Sequence, residues 1–185
     1  MTEAPTASTP EREEAGIADL ETLMREQQRR VYRVLLSLVR DPDAADTLTQ
    51  DCFLKAYRSR EQFRGECSVQ TWLLRIAVNL ARDHARNRRL QFWRGLFTTS
   101  GDDGAIPEPA HPQPSAERAL LAREKLGKVW AAAEGLSMQQ KTVFVLRFVE
   151  EMELEEIAEV TGLRMGTVKT HLFRAVGAIR REVGE

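Results

Sequence analysis

An all-α fold is predicted for this 185-residue chain, because apolar residues recur at helical spacing and alternating β-branched runs are absent. Prolines and glycines crowd one central stretch, which divides the pattern in two. The expected architecture is two small helical domains, an N-terminal bundle and a C-terminal helix-turn-helix, joined by a flexible linker. The expected boundaries are a disordered segment 1–16, a first domain 17–92, a linker 93–115 and a second domain 116–185.

Each element has its own signal. Residues 1–16 are polar and rich in Pro, Thr and Glu. Ile17, Leu20, Met24, Val31, Leu35 and Leu38 share one face of a first helix. Asp41-Pro42 opens the next, with Asp as cap and Pro in the first turn, running to about Arg58. A connector from Glu61 to Ser68 carries Gly65, and a long helix follows from Val69 to about Arg89. Thr98 to Ser115 holds two Gly and four Pro without periodicity, and reads as the linker. Ala116–Glu134 is predicted helical. Ser137-x-x-Gln140 is a capping box that opens a helix through Val149. Leu154–Thr161, the turn at Gly162 and a last helix from Met165 to Val183 complete the chain.

Composition excludes several classes. Hydrophobic residues at 42% and charged residues at 30% describe a soluble globular protein. No apolar run approaches the roughly 20 residues of a membrane helix. The N-terminus lacks the apolar centre of a secretory signal, so a cytoplasmic location is expected. Cys52 and Cys67 have no CxxC or His neighbours; they read as buried residues of a reducing compartment, with a redox switch as the other reading. No metal site and no cofactor are expected.

The net charge of −1 conceals segregation. Met1–Gln28 carries seven acids and two bases, whereas Arg75–Arg94 has six bases to one acid. Arg164–Arg181 has five bases and no acid. Two separated basic helices suggest two contacts with a polyanion.

In the last helix, Val168, Leu172, Val176, Ile179 and Val183 form one stripe, while Thr167, Lys169, Thr170, Arg174 and Arg181 lie on the other face. Such a helix suits a major groove, although a helical hairpin with a solvated basic face has the same spacing. The preceding helix is acidic (Glu150, Glu151, Glu153, Glu155, Glu156, Glu159), which confines the positive field to one helix. Those glutamates also fit a plain solvated face or a surface for a basic protein.

Between Val69 and Arg89, Val69, Leu73, Ile76 and Leu80 are predicted core. Trp72, Arg75, Asn79, Arg82 and Arg86 form a second stripe about 100° away. An aromatic ring, an amide and guanidinium groups together suit unpaired DNA, by stacking, base-edge hydrogen bonds and phosphate contacts. Trp72 also fits the edge of a core. In the helix Pro42–Arg58, Ala44, Ala45, Leu48, Cys52 and Ala56 form a close-packing stripe. Asp46, Gln50, Phe53, Leu54 and Tyr57 lie opposite, as a protein-binding patch or a second buried face.

Three segments together resemble the extracytoplasmic-function (ECF, group 4) sigma factors of bacterial RNA polymerase. They are DAADTLTQDCFLKAY (Asp43–Tyr57), FRGECSVQTWLLRIAVNLARD (Phe63–Asp83) and LEEIAEVTGLRMGTVKTHLFRA (Leu154–Ala175). The resemblance implies a factor that directs core polymerase to promoters by reading the −35 duplex and melting the −10 element. It implies contact of Asp46, Gln50, Asp51, Phe53 and Leu54 with the β′ clamp helices, and the β flap of the core polymerase as a further partner. It implies that Phe63, Arg64 and Gly65 begin a loop holding a flipped −10 base. Trp72, Arg75, Ile76 and Asn79 then read that element, beside Arg82 and Arg86 of the same stripe. Arg147, Lys169, Thr170, Phe173 and Arg174, with Thr167 on the same face, fall where the family reads the −35 element. An anti-sigma factor is a common partner in the family. Thr47 stands where the family usually has an acid, and Met165 where Pro or Val is common. Phe92, Trp93 and Phe97 have no family role; they could extend the helix, fill a groove or meet an inhibitor.

The rival reading is a stand-alone helix-turn-helix regulator binding duplex DNA as a dimer. An enzyme is not expected: His84, His111 and His171 are scattered, and no phosphate loop, dinucleotide fingerprint or nucleophile motif is present.

Overall fold

Capping chemistry sets most helix boundaries in the computed structural model of the chain. The structure describes residues 10–63, 65–95 and 116–184, with side chains over 25–63, 65–89 and 126–184 together with Thr22 and Glu124. Helix α1 is Pro10–Val39 and α2 is Pro42–Arg58. At their junction Arg40 adopts φ 59°, and the Asp41 carboxylate accepts from the Ala44 N–H at 3.0 Å, with Pro42 as first helical residue. A single 3-10 turn, Arg60–Gln62, leads to α3, Val69–Gly95.

The C-terminal helices are α4 (Ala116–Glu134), α5 (Met138–Phe148), α6 (Leu154–Thr161) and α7 (Met165–Val183). The expected capping box opens α5: Ser137 Oγ accepts from the Gln140 N–H at 3.3 Å, and Gln140 Oε1 from the Ser137 N–H at 3.1 Å. Between α6 and α7 the turn rests on Gly162, whose φ of 69° closes α6 with a 2.9 Å bond from its N–H to the Ala158 carbonyl. The described residues are helical with no strand, as the sequence predicts.

Two expectations are corrected. Helix α1 starts at Pro10, so part of the segment 1–16 is helical: Pro fits a first turn, and Glu11, Arg12, Glu13, Glu14 and Ala15 are mostly good helix formers. In α3 the buried residues are Leu73, Leu74, Ala77, Val78 and Ala81, while Val69, Ile76 and Leu80 sit at the margin. The core face is therefore turned by about 100° from the predicted stripe, one residue's rotation. The small Ala77 and Ala81 let α1 and α2 approach closely, and that proximity outweighs side-chain bulk. The side chains of Ile17, Leu20, Met24, Phe92 and Trp93 are not among those described, and Phe97 and the rest of residues 96–115 lie outside the described residues; α3 itself continues through Phe92 and Trp93.

One buried cluster runs through both halves of the chain. Val31, Val34, Leu35 and Leu38 of α1 meet Leu48, Cys52 and Phe53 of α2 and the α3 face, and the same cluster continues into Val143, Val145, Leu146, Ile157, Val160 and Val168. A second cluster, Ala133, Leu136, Phe144, Ala175 and Ile179, ties α4 and α5 to α7.

Candidate nucleic-acid interface

Helix α7 buries Val168, Ala175 and Ile179 and leaves Lys169, Thr170, Arg174 and Arg181 exposed, with Thr167 half-buried. Phe173 is 81% exposed, an unusual position for a phenyl ring on a helix that has a core to pack against. The first turn of α7 carries no acid, so no carboxylate there offsets the positive end of the helix dipole. Arg147, expected with these residues, is half-buried in the last turn of α5. Its Nη1 donates to the Met152 carbonyl at 2.7 Å and lies 3.2 Å from the Glu153 carboxylate, which orders the loop between α5 and α6.

On α3 the stripe is present as a face nearly opposite the corrected core. Arg75, Asn79 and Arg86 are exposed, and Trp72 and Arg82 half-buried. Ile76 packs against the core cluster from the stripe's edge. Arg86 is paired with Asp83 at 3.1 Å. Phe63 stacks obliquely on Trp72, ring centroids 5.0 Å apart, so the connector's aromatic and the helix's aromatic form one platform. Gly65, with φ 71°, has open space where a Cβ would stand. Arg64 lies outside the described residues. An open pocket here is lined by Phe63, Cys67, Trp72 and Arg75, with the acids Glu61 and Glu66 of the connector and Glu159 of α6.

On α2, Asp46, Gln50 and Asp51 are exposed, and Leu54 and Tyr57 are 47% and 40% exposed. Phe53 is different: it is 5% exposed and belongs to the core, where its ring floors a groove between Thr49, Gln50, Leu54, Tyr57 and Arg25. Its expected place on the outward patch is corrected to the base of that patch. Of the close-packing stripe opposite, Ala45, Leu48, Cys52 and Ala56 are buried and Ala44 is half-buried.

One cluster escaped the sequence. Glu150, just after α5, accepts from Arg30 Nε at 2.7 Å, and from Arg33 Nε at 2.8 Å and Nη2 at 3.2 Å. Its side chain is 1% exposed, and its hydrogen bond to Arg33 holds that guanidinium's pKa above its usual value. These partners are more than a hundred residues apart in sequence, so no local spacing signals them. Among the described residues no group of His, Cys, Asp or Glu is placed to hold a metal ion, and no helix is long and apolar enough to cross a membrane.

Residues 23–91 match the family model for sigma-70 region 2, and residues 126–179 that for sigma-70 region 4. The chain is 32% identical to the RNA polymerase sigma-H factor of Pseudomonas aeruginosa over 169 residues, covering 85% of this chain and 82% of that protein. It is 32% identical to the ECF RNA polymerase sigma-E factor of Haemophilus influenzae, covering 87% and 85%. It also resembles the Escherichia coli ECF sigma-E factor at 32% identity, covering 84% and 82%. Among solved structures, the sigma factor RpoE bound to the anti-sigma factor NepR from Bartonella quintana shares the fold, with TM-score 0.71 and 19% identity over 90% of this chain and 97% of that one. CnrH bound to the cytosolic domain of CnrY does so with TM-score 0.61 and 20% identity over 88% and 85%. With both regions in order and relatives matched along most of their length, the chain belongs to the ECF RNA polymerase sigma factors, which direct the polymerase to promoters.

Proposed function

We propose that this sigma factor reads the −35 duplex with α7, through Thr167, Lys169, Thr170, Phe173 and Arg174, and the melted −10 strand with the α3 stripe. The observation that carries the reading is the platform of Phe63 on Trp72 beside Arg75 and the exposed Asn79. An unstacked base needs a ring to rest on, an amide to read its edge and a cation for its phosphate, and these groups stand together there. The chain acts as two units, 17–92 and 116–185, joined by 93–115. Each contact is weak alone, and polymerase raises their combined strength by holding both units on one DNA.

The groove of Leu54 and Tyr57, with Phe53 at its base and Asp46, Gln50 and Asp51 around it, receives the β′ clamp helices of the core enzyme; the second unit meets the β flap. The protein works by binding in the cytoplasm and catalyses nothing itself. An anti-sigma factor is a fitting partner, since the sigma factor RpoE of this fold was solved with the anti-sigma factor NepR bound. The match to region 2 favours this reading over a dimeric stand-alone regulator, which has no use for a strand-reading helix.

Run-off transcription with purified core polymerase on a pool of promoter fragments tests the proposal. Initiation at a defined −35/−10 pair requires the protein, and Asn79→Ala and Lys169→Ala each reduce it about tenfold, about 1.4 kcal/mol and in the range of one lost contact. Initiation indifferent to both substitutions overturns the residue assignment.

A further inference from the structure

The turn between α2 and α3 carries a second aromatic pair, next in sequence to the platform of Phe63 and Trp72. Arg60 lies over the Tyr57 ring, its guanidinium carbon 4.4 Å from the ring centroid. Its Nη1 donates to the Tyr57 carbonyl at 2.9 Å, which fixes the guanidinium in place over the ring. Three backbone bonds hold this pair close to the platform. The Ser59 N–H donates to the Lys55 carbonyl at 3.0 Å, the Gln62 N–H to the Ser59 carbonyl at 3.0 Å and the Phe63 N–H to the Arg60 carbonyl at 3.1 Å. Even a fully extended chain from Tyr57 to Phe63 spans only about 20 Å, and this one is folded into a 3-10 turn.

A cation on a ring at a helix C-terminus can serve the helix alone, as Lys55 and Arg58 in the last turn of α2 serve its dipole. Exposure and charge give Arg60 more to do. Its side chain is 43% exposed although one face rests on Tyr57, so the guanidinium plane stays open to a second flat group. Lys55 and Arg58 are exposed beside it in sequence. The acid of the turn, Glu61, stands 3.7 Å from Arg60 Nη2 and is itself 87% exposed. So open an ion pair holds weakly and yields to a phosphate. A base stacks on a guanidinium plane as it does on a ring, and arginine adds its charge to the contact. The position suits one end of the strand. On α3, Arg82, Arg86, Arg88 and Arg89 follow Trp72 and suit the upstream end, where the strand rejoins duplex. Arg60 precedes Phe63, on the side left for the strand to leave.

We propose that Arg60, seated on Tyr57, is a second stacking station for the unpaired strand, taking a base on the 3′ side of the −10 element. The inference rests on the assignment of the α3 stripe made above. The station holds and does not read: every base has a π face, so it accepts any base there. Its work is to keep the opened strand from pairing again, while the platform and Asn79 choose the sequence.

The test uses the full chain bound to core polymerase and two forked DNAs carrying the promoter found by run-off. In one, the single strand ends with the −10 element; in the other it continues a few nucleotides further 3′. Arg60 is the residue to change, because Tyr57 also lines the groove assigned to the clamp helices. Fluorescence anisotropy is expected to show Arg60→Ala binding the long fork about tenfold more weakly than the unaltered protein, the range of one lost stacked base. Binding of the short fork stays unchanged. Arg60→Lys keeps the charge but not the plane, and is expected to recover only a small part of the loss. Exchanging the bases of the extension for one another leaves the difference in place. Equal binding of the long fork by Arg60→Ala and the unaltered protein overturns the station. Weakening of both forks alike also overturns it, in favour of a structural role for Arg60. Full recovery by Arg60→Lys overturns the stacking, leaving a phosphate contact. Failure of the stripe assignment itself shows separately, as run-off that is indifferent to Asn79→Ala.

Discussion

Cys52 shows how burial settles a residue whose sequence context left two readings. Its Sγ donates to the Leu73 carbonyl at 3.6 Å, and burial pushes the thiol up to about 12. The thiolate is the reactive form, so this cysteine is a core residue and not a redox sensor. Because the folded pKa is raised, the stabilisation is complete below the ordinary thiol pKa and declines as pH rises past about 9, where the unfolded chain ionises. Iodoacetamide at pH 8 is expected to modify only Cys67 in the native protein and both thiols in denaturant, read by intact mass. Rapid native labelling of Cys52 would contradict its burial. Trp72 is a less clean probe than Asn79 for strand reading, since its ring also leans on the core and on Phe63. Asn79 is exposed on the same helix.

Helix boundaries were legible because caps are local chemistry. Asp41-Pro42, the Ser137/Gln140 box and Gly162 each satisfy or end a helix within four residues of themselves. Gly162 and Gly177 separate two effects of adding a methyl group. Both have open space around a Cβ, but only Gly162 has positive φ. Gly162→Ala is expected to cost about 1–2 kcal/mol from left-handed backbone strain. Gly177→Ala, inside α7, is expected to stabilise by about 0.5–1 kcal/mol. Thermal unfolding reads both, and equal shifts of the same sign would refute the distinction. The face of α3 was less legible: Leu, Ile and Val were weighed by size, whereas the helix turned its alanines inward. Close approach of backbones gains more contact than one bulky side chain, and single-helix periodicity does not register it.

At the scale of the molecule one continuous buried cluster joins the two halves, and it is expected to couple their unfolding. Leu74→Ala in α3 and Leu146→Ala in α5 both empty fully buried positions, and each is expected to cost about 2–5 kcal/mol. In calorimetry both should lower the same single transition, whereas Glu150→Arg should split it into two, one for each set of helices. Separate transitions in the unaltered protein would show that the shared cluster does not couple them. Lys141 belongs to this scale as well. Burial holds its pKa below the usual lysine value, against the opposing pull of Glu134 on α4.

The all-α class, nearly every helix boundary, the basic stripes and the family motifs were determined by the sequence alone, since helical period, caps and charge segregation are properties of neighbours along the chain. Only the tertiary structure decided that Phe53 turns inward, that Arg147 serves its own loop, that α3 buries its alanine face and that Glu150 joins Arg30 and Arg33. Those outcomes depend on which surfaces meet after the helices form, and burial and ion pairing between distant residues leave no mark in local spacing.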